Sequence, residues 1–502
     1  MIRFVRRAVS LLLCLCLLSP ALTAGAEENK RAENISSANL VTNMEGIGNA
    51  QWLFDGDKSN YIRMSGNVSL TLEAEQGIGS LYLIFDVEYG SYTLTDNDTG
   101  AVISLGENGF LHEFVPLDTV STSVTLTFDN GPVLLNEIYV FTEGEVPAFV
   151  QKWEAPKEGE TDLVLFPTHG DDEHLFFAGI LPYYSAELQY QVQVVYLTNH
   201  RNLTNERCHE MLNGLWAVGV DTYPVFGEFP DYFTRNMQDA YSLFSQRDIT
   251  QEQLLSYVVE QLRRFKPKVA VGHDPINGEY RHGAHMLYAD LLMKAVEISN
   301  DPAVYPELAE KYGIWDVPKT YLHLYPENPI LMDWDKPLSY FGGMTAFEAS
   351  KSLGFICHES QYNDFAWYLS SGETAAQIPN FSPREFGLYR STVGADTEKN
   401  DFFENLTTYA EDARIRAEEQ ARLEAEQLEA QRRAEEEARL AGEARQREEE
   451  ASRQAQKARL DQEMQTHQKT SRRMYAASGI AVISLILLVV LVILFRKLLQ
   501  KK

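Results

Sequence analysis

The chain has 502 residues, a length that suggests about three or four units of ~150 residues. With 44% hydrophobic and 11% aromatic residues it has enough apolar material for packed cores, which excludes intrinsic disorder as a description of the whole chain. The 44 basic and 72 acidic side chains give a net charge of −28, and a chain this acidic repels phosphate backbones. We therefore expect no nucleic-acid partner.

The first 26 residues have the parts of a secretory signal peptide. A basic start precedes an apolar run at 8–18, and a cleavage site of small residues ends at Ala26. We expect the mature chain to begin near Glu27. Loss of the three arginines in this segment, with no acid lost, would take the net charge from −28 to −31.

Four cysteines are present, and two of them lie in the predicted signal peptide. Cys208 and Cys357 remain, which permits at most one disulfide in an exported protein. Both lie in segments with helical patterns, so we predict two buried free thiols.

Residues 27–150 have the pattern of a β-rich module. Apolar side chains alternate with others at 81–87 and 124–128, and turns rich in Gly, Asn and Asp occur at 96–100 and 129–132. Short strands separated by such turns predict an antiparallel all-β sandwich.

Two segments of this module resemble the discoidin or galactose-binding-like sandwich family. They are Leu-Phe-Asp-Gly-Asp-Lys-Ser at 53–59 and the closing strand at 136–141. The resemblance implies a glycan-binding module in which Trp52 and Tyr61 stack on sugar rings. The alternative is that both aromatic side chains pack in the core and the module is a spacer.

Residues 155–395 show an alternation of strands and helices. The strands are compact apolar runs at 162–166, 193–197 and 268–271, and the helical segments run from Glu206 to Val218 and from Gln251 to Phe265. This alternation predicts a parallel sheet of βαβ units. In such sheets ligands bind at the carboxyl ends of the strands.

Titratable side chains cluster immediately after two of these strands. Pro-Thr-His-Gly-Asp-Asp-Glu-His at 167–174 follows the first, and Gly-His-Asp-Pro at 272–275 and Tyr-Arg-His-Gly-Ala-His at 280–285 follow another. We expect the two strand ends to face the same crevice. His, Asp and His are the ligand types of a hydrolytic zinc site with an open position for water. A second carboxylate beside the liganding one can accept a proton from water.

The segment at 168–173 resembles the His-Pro-Asp-Asp-Glu signature of the LmbE-like zinc N-deacetylases, the family of the de-N-acetylase PIG-L. The His-x-x-His motif of that family matches 282–285. Further matches are Glu-Arg-Cys-His-Glu at 206–210, Phe-Pro-Asp at 229–231 and His-Glu-Ser-Gln at 358–361. The resemblance covers about 160–390, and it implies a Rossmann-like α/β fold.

Position by position, the resemblance implies a zinc ion held by His169, Asp172 and His285. It makes Asp171 the general base and His282 the general acid of an amide hydrolysis. We also expect the neighbouring His174 and His273 to have only structural or supporting roles.

Three further residues fall on functional positions of the family. Tyr280 matches a residue that helps stabilise the oxyanion, and Arg207 and Asp231 match positions that contact the sugar. The simpler interpretation of Arg207 is an ion pair with Glu210, three residues later on one helix.

Two departures from the family pattern affect these expectations. Gly170 replaces the usual proline, which loosens the loop but removes no ligand. Gly-Ala at 283–284 replaces Pro-Asp, so a carboxylate that orients the acid histidine in relatives is missing. We expect Glu279 or Asp274 to replace it, or His282 to be a weaker acid.

From 406 to 473 the composition is reduced largely to Ala, Glu, Gln and Arg. Opposite charges recur at helical spacing, as in Glu418 with Arg422 and Glu429 with Arg433, which predicts a long exposed helix. Its leucines are too few for a strong coiled coil, so we expect a single charged stalk or weak self-association.

An apolar run at 474–495 has about the ~20 residues needed to cross a bilayer. A basic tail at 496–502 follows it, which favours a cytoplasmic carboxyl terminus. Together with the predicted signal peptide, this run indicates a single-pass protein of the cell membrane with extracytoplasmic N-terminal domains.

The sequence thus predicts a membrane-anchored, extracytoplasmic, zinc-dependent N-deacetylase that acts on an N-acetylglucosamine-type glycan or glycoconjugate. The alternative function is a catalytically weak or inactive surface protein that binds glycans, and the missing carboxylate at Ala284 motivates it. A chelator distinguishes the two, because a lectin would keep its ligand and release no acetate.

Overall fold

A computed structural model describes residues 30–43, 50–200 and 205–500. The predicted signal peptide, with Cys14 and Cys16, lies outside these residues. The chain divides into two compact units, Met1–Tyr409 and Ala410–Lys502. The first unit contains two β-sheets and most of the helices, and the second is helical.

The first sheet is entirely antiparallel in its strand pairings and lies in the region predicted to be β-rich. The order of its strands is β2-β7-β3-β6-β4-β5, with β1 paired to β3. These strands are β1 Val41–Asn43, β2 Ile62–Met64, β3 Val68–Phe85, β4 Tyr92–Asp96, β5 Val102–Leu105, β6 His112–Phe128 and β7 Val133–Phe141.

Strand β3 is buried on both of its faces near its end, although its sequence predicts alternation. Leu81 and Leu83 join the main core of the sheet. Tyr82 and Ile84, on the opposite face, join a second apolar cluster with Phe141. A strand covered on both faces needs apolar residues at successive positions, which is what this segment has.

The two candidate stacking residues lie at the surface. Trp52 is 46% exposed and Tyr61 is 40% exposed. Both side chains therefore have area available to a ligand, and core packing is not their role.

The second sheet is mixed and has the order β12-β13-β11-β10-β8-β9. Its four strands β9, β8, β10 and β11 are parallel, whereas β13 runs antiparallel to β11 and β12. The strands are β8 Leu163–Leu165, β9 Val192–Val194, β10 Val269–Gly272, β11 Lys319–His323, β12 Pro329–Leu331 and β13 Glu385–Ser391. The predicted parallel arrangement therefore describes four of the six strands, from β11 to the edge strand β9.

Helices pack on both sides of this sheet, in two large cores. They are α1 Glu206–Ala217, α2 Met237–Ser245, α3 Gln251–Phe265, α4 Gly278–Arg281, α5 Gly283–Ile298, α6 Pro306–Tyr312, α7 Ala346–Ala349 and α8 Tyr362–Leu369. The bounds of α3 agree with its prediction because Thr250 and Gln253 form a capping box at its start.

The β-rich region packs directly against the α/β region. His112 at the start of β6 hydrogen-bonds to His209 on α1, with 2.8 Å between the ring nitrogens. The rings of Phe110 and Tyr223 stack at 4.4 Å between centroids. A shared buried boundary of this kind holds the two regions together as one unit.

A single long helix, α9 Tyr409–Leu499, covers both the predicted stalk and the predicted span. Among the described residues it is the helix that is long and apolar enough to cross a membrane. Glu429 pairs with Arg433 as expected. Glu418 instead pairs with Arg414 at 3.0 Å, because Arg422 turns toward glutamates on either side of it.

Cys208 and Cys357 are both free thiols, as predicted. Cys208 is buried on α1, whereas Cys357 is only partly buried. The packing of the first unit therefore holds without a disulfide between these two residues.

Candidate metal centre and catalytic cleft

Each of the four parallel strands is followed by, or ends in, a histidine. His169 follows β8, His200 follows β9, His273 follows β10, and His323 is the last residue of β11. Because parallel strands end at the same edge of a sheet, these four imidazoles come together there.

The three residues predicted to hold a metal lie in mutual contact at this edge. His169 Nδ1 is 3.0 Å from His285 Nε2 and 3.3 Å from Asp172 Oδ2. His285 Nε2 is 3.3 Å from Asp172 Oδ1. Tetrahedral zinc with bonds of ~2.0–2.1 Å spaces its ligand atoms about 3.3 Å apart. Each of these three contacts is close to that spacing, and the two histidines face different oxygens of Asp172.

Asp172 is held as a carboxylate. Its Oδ2 accepts hydrogen bonds from the backbone N–H groups of Thr168 and His169, at 3.1 and 2.8 Å. Although burial opposes ionisation, the imidazoles of His285 and His273 hold the pKa of Asp172 well below its usual range. An ionised carboxylate among imidazoles is the charge pattern that a divalent cation neutralises.

Glu279 contacts Nδ1 of three histidines, a role that the sequence did not reveal. Its carboxylate lies 2.6 Å from His285 Nδ1, 3.1 Å from His273 Nδ1 and 2.9 Å from His323 Nδ1. A carboxylate on Nδ1 places the proton there, so that Nε2 of His285 keeps a lone pair for a metal.

Glu279 has a backbone conformation that side chains seldom adopt, with φ 59° and ψ −93°. Such strain costs about 1–3 kcal/mol and persists where surrounding contacts determine it, often at functional sites. The only sequence signal for Glu279 was its position between two histidine motifs.

His169 has a similar partner on its other ring nitrogen. Its Nε2 lies 3.2 Å from Asp231 Oδ1, while Asp231 Oδ2 lies 3.5 Å from His200 Nδ1. Asp231, predicted to contact the sugar, is therefore also placed to orient a metal-ligating histidine.

Asp171 stands beside the three ligands and is almost fully buried. Burial raises its pKa to about 7, although the guanidinium of Arg207 opposes the shift. Arg207 Nη2 lies 3.4 Å from Asp171 Oδ2, and its Nη1 lies 3.3 Å from Glu210 Oε2. Arg207 therefore forms the simple ion pair on α1 and also reaches the site.

The loop that carries Asp171 packs tightly at Gly170. A Cβ atom built on Gly170 would lie 2.1 Å from Cγ of Met211 on α1. The glycine in place of proline therefore permits close packing against α1 rather than loosening the loop.

His282 begins helix α5 and is not contacted by the carboxylates expected to orient it. Its Nδ1 accepts a hydrogen bond from the backbone N–H of Ala284 at 3.2 Å. Glu279 binds other histidines, and the carboxylate of Asp274 caps its own loop at Ile276. The expectation that one of these two acids orients His282 finds no support in these contacts.

The ring of His282 stacks on that of His285 at 4.6 Å between centroids. Burial, together with the neighbouring His169 and His285, lowers the pKa of His282 well below its ordinary value. Since Nδ1 accepts a backbone N–H, the neutral ring carries its proton on Nε2.

A cleft of about 400 Å³ opens over this arrangement. One predicted metal ligand, His169, lines the cleft. The five residues predicted for catalysis and substrate binding also line it: Asp171, His282, Tyr280, Arg207 and Asp231. The sequence did not reveal five others: His200, Phe233, Gln361, Asp364 and Phe365. The ring of Phe233 packs edge-on against His282 at 4.9 Å and is 56% exposed, which gives the cleft an apolar wall.

Comparisons with known proteins match part of the chain to one family. Residues 163–296 match the family model described as PIG-L, GlcNAc-PI de-N-acetylase. A relative called 1D-myo-inositol 2-acetamido-2-deoxy-alpha-D-glucopyranoside deacetylase 1, from Catenulispora acidiphila, is 26% identical over 213 residues. The match covers 38% of this chain and 64% of that protein, which is less than two thirds of its length.

A second relative, from Streptomyces scabiei, is called 1D-myo-inositol 2-acetamido-2-deoxy-alpha-D-glucopyranoside deacetylase. It is 22% identical over 295 residues, which cover 49% of this chain and 89% of that protein. Among solved structures, the N,N'-diacetylchitobiose deacetylase from Pyrococcus horikoshii shares 13% identity with a TM-score of 0.31. That likeness covers 46% of this chain and 84% of the other. From the family match and the named relatives, this chain contains a PIG-L/LmbE-like deacetylase family domain.

Proposed function

We propose that this chain is a zinc-dependent N-deacetylase that removes the acetyl group from an N-acetylglucosamine-type glycan or glycoconjugate. The observation that carries the proposal is the compact triad of His169, Asp172 and His285 beside Asp171 in an open cleft. The names of the relatives, which are deacetylases of acetamido sugars, support the substrate class.

The donor set fits zinc better than magnesium or calcium. Two imidazole nitrogens and one carboxylate oxygen are zinc ligands, whereas the harder ions prefer oxygen. A bound zinc ion would polarise the carbonyl oxygen of the amide and make water more acidic. His169 would bind through Nδ1 and His285 through Nε2, and the remaining nitrogens face Asp231 and Glu279.

Asp171 is the proposed general base. Its carboxyl group lies at the cleft beside the triad, and a pKa near neutrality suits a group that takes a proton and gives it back. Arg207 holds it in place and can also contact the sugar.

Two further side chains are proposed to act on the amide, one at its carbonyl oxygen and one at its leaving nitrogen. Burial raises the pKa of the Tyr280 phenol, so its hydroxyl stays protonated and can donate a hydrogen bond to the carbonyl oxygen as negative charge develops. His282 presents Nε2–H. It either protonates the leaving nitrogen, as the family resemblance implies, or donates a hydrogen bond while Asp171 returns the proton.

The conservative variant His282→Gln distinguishes these two roles, because glutamine donates a hydrogen bond but cannot transfer a proton. We propose the hydrogen-bonding role, since Nδ1 is engaged by Ala284 N–H and the ring is held neutral. The variant should then keep most of the activity. A loss of about 10²–10⁴-fold in kcat would assign proton transfer to His282 instead.

The proposed architecture is an N-terminal β-sandwich at 27–150, a Rossmann-like deacetylase domain at 155–395, a helical stalk at 406–473 and a membrane span at 474–495. The carboxyl-terminal tail at 496–502 would be cytoplasmic, and the other domains extracytoplasmic. Protease treatment of intact cells tests this: the deacetylase domain should be cleaved, and the tail should be protected.

The direct test of function measures acetate release from a panel of N-acetylated sugars and envelope glycans by the full-length protein. We expect activity that a chelator abolishes, that Zn²⁺ restores and that Asp171→Ala eliminates. The matched control is Asp129→Asn, an exposed acid in the β-rich region that should leave activity unchanged. Ligand retention without acetate release would instead support the glycan-binding alternative.

A further inference from the structure

A second group of metal-ligating side chains lies next to the candidate metal centre but outside the cleft. Glu173 and His174 directly follow Asp172 in the chain, and His358 approaches them from the segment before α8. Glu173 Oε1 lies 3.6 Å from His174 Nε2 and 3.5 Å from His358 Nε2. From this geometry we propose that Glu173, His174 and His358 form a second, structural site for a divalent cation, with zinc as the best-fitting ion.

All three side chains are completely buried and lack hydrogen-bond partners at the atoms that face one another. Glu173, His174 and His358 each have 0% exposure. Glu173 Oε1 and both ring nitrogens of each histidine have no hydrogen-bond partner. Buried polar atoms without a partner are rare in folded proteins, and a cation bound by Glu173 Oε1 and one ring nitrogen of each histidine would satisfy three of these five atoms.

The backbone keeps the space between the two histidines free of side chains. A Cβ atom built on Gly214 would lie 2.7 Å from His174 Nε2 and 2.9 Å from His358 Nε2. Glycine on α1 is thus the residue that lets both nitrogens approach this point. An alanine there would fill the space without changing any of the three donor groups.

The donor atoms suit a cation. His174 and His358 each offer one ring nitrogen. Glu173 adds an oxygen donor, and its other oxygen accepts the backbone N–H of Asp171 at 2.9 Å. The donor spacing of 3.5–3.6 Å is close to the value of about 3.3 Å for a tetrahedral zinc site.

Such an ion would have a positioning role. It would tie the loop that carries Asp171 and Asp172 to the segment around His358. Since the three side chains are closed to solvent, the ion would stabilise the fold rather than bind substrate.

The test is the metal content of the purified full-length protein, measured by inductively coupled plasma mass spectrometry after dialysis against Zn²⁺ and then against metal-free buffer. We expect two zinc ions per chain in the wild type. His358→Asn should leave one, His285→Asn should leave one, and the double variant should hold none. The control His209→Asn, another buried histidine, should still hold two.

Gly214→Ala adds a variant that keeps every ligand, and it should also hold one zinc ion. If the wild type holds a single ion that His285→Asn removes and His358→Asn does not, the second site is absent. Titration of the metal-free wild type with Zn²⁺ gives the same answer without any substitution, through one or two binding steps. A protein with two ions but no deacetylase activity would overturn the proposed function and leave this inference intact.

Discussion

The loop at 168–174 contributes one histidine to each of two clusters, and the groups that surround the two clusters differ. In the metal centre, His285 and His169 each face a carboxylate on the ring nitrogen away from the ligand position, Glu279 and Asp231 respectively. In the buried cluster, His174 and His358 have no partner at Nδ1. The first cluster opens to a cleft, whereas the second is closed. The comparison shows how identical side chains become suited to chemistry or to structure through the groups behind them.

The largest effect should come from Asp171→Asn, which separates catalysis from metal binding. Asparagine keeps the size of the side chain but cannot accept a proton, so kcat should fall about 10²–10⁴-fold. Metal content should not change, since Asp171 is not in either donor set. Acetate release and metal analysis on the same preparation check this. Loss of metal together with activity would show that Asp171 supports the centre rather than acting as a base.

Glu279→Gln should weaken one cluster and spare the other. Removal of the carboxylate behind His285 and His273 should lower the zinc affinity of the metal centre by about 10–100-fold. The buried cluster makes no contact with Glu279 in the interactions described above and should keep its affinity. Competition with a chromophoric chelator measures both constants. Equal weakening of both sites would show that Glu279 acts through general stability of the fold.

Metal removal should proceed in two phases in the wild type. An ion in the cleft is accessible to a chelator, whereas an ion held by Glu173, His174 and His358 can leave only when the loop opens locally. We expect a fast phase accompanied by loss of activity and a slow phase accompanied by loss of thermal stability. Stopped-flow and calorimetric measurements on the same sample check this order. A single phase would contradict the difference in access.

The smallest effect concerns a third pair of buried histidines, which has no carboxylate and should bind no metal. His112 and His209 hydrogen-bond across the boundary of the β-rich region. Burial lowers the pKa of His209 to about 3, below the value near 6.5 expected when unfolded.

The unfolded chain therefore binds one more proton than the folded chain between pH 6.5 and 3. The stabilising contribution of neutral His209 is complete above pH 6.5 and is lost as the pH falls toward 3. Urea unfolding of His209→Asn between pH 7 and 4 should show a shallower decline than the wild type. Parallel declines would mean that His209 titrates normally.

The local elements, and the proximity of His169, Asp172 and His285, could be predicted from the sequence. Helix α3 agrees with its predicted bounds because both its apolar period and its capping box are local. The triad of His169, Asp172 and His285 follows from two motifs placed after neighbouring parallel strands. The role of Glu279 could not be predicted, because His273 after β10, His285 on α5 and His323 at the end of β11 converge on it only in the folded chain.

The sequence by itself determined the composition and the order of the elements: a β-rich region, an α/β region with two histidine motifs and a long charged helix that ends in an apolar run. Local periodicity and turn residues encode these features. Only the tertiary structure decided that Glu279 faces His285 rather than His282, and that Gly214 leaves space between His174 and His358. The first depends on the unusual backbone conformation of Glu279, six residues before His285. The second depends on contacts between segments far apart in the chain, which local periodicity does not encode.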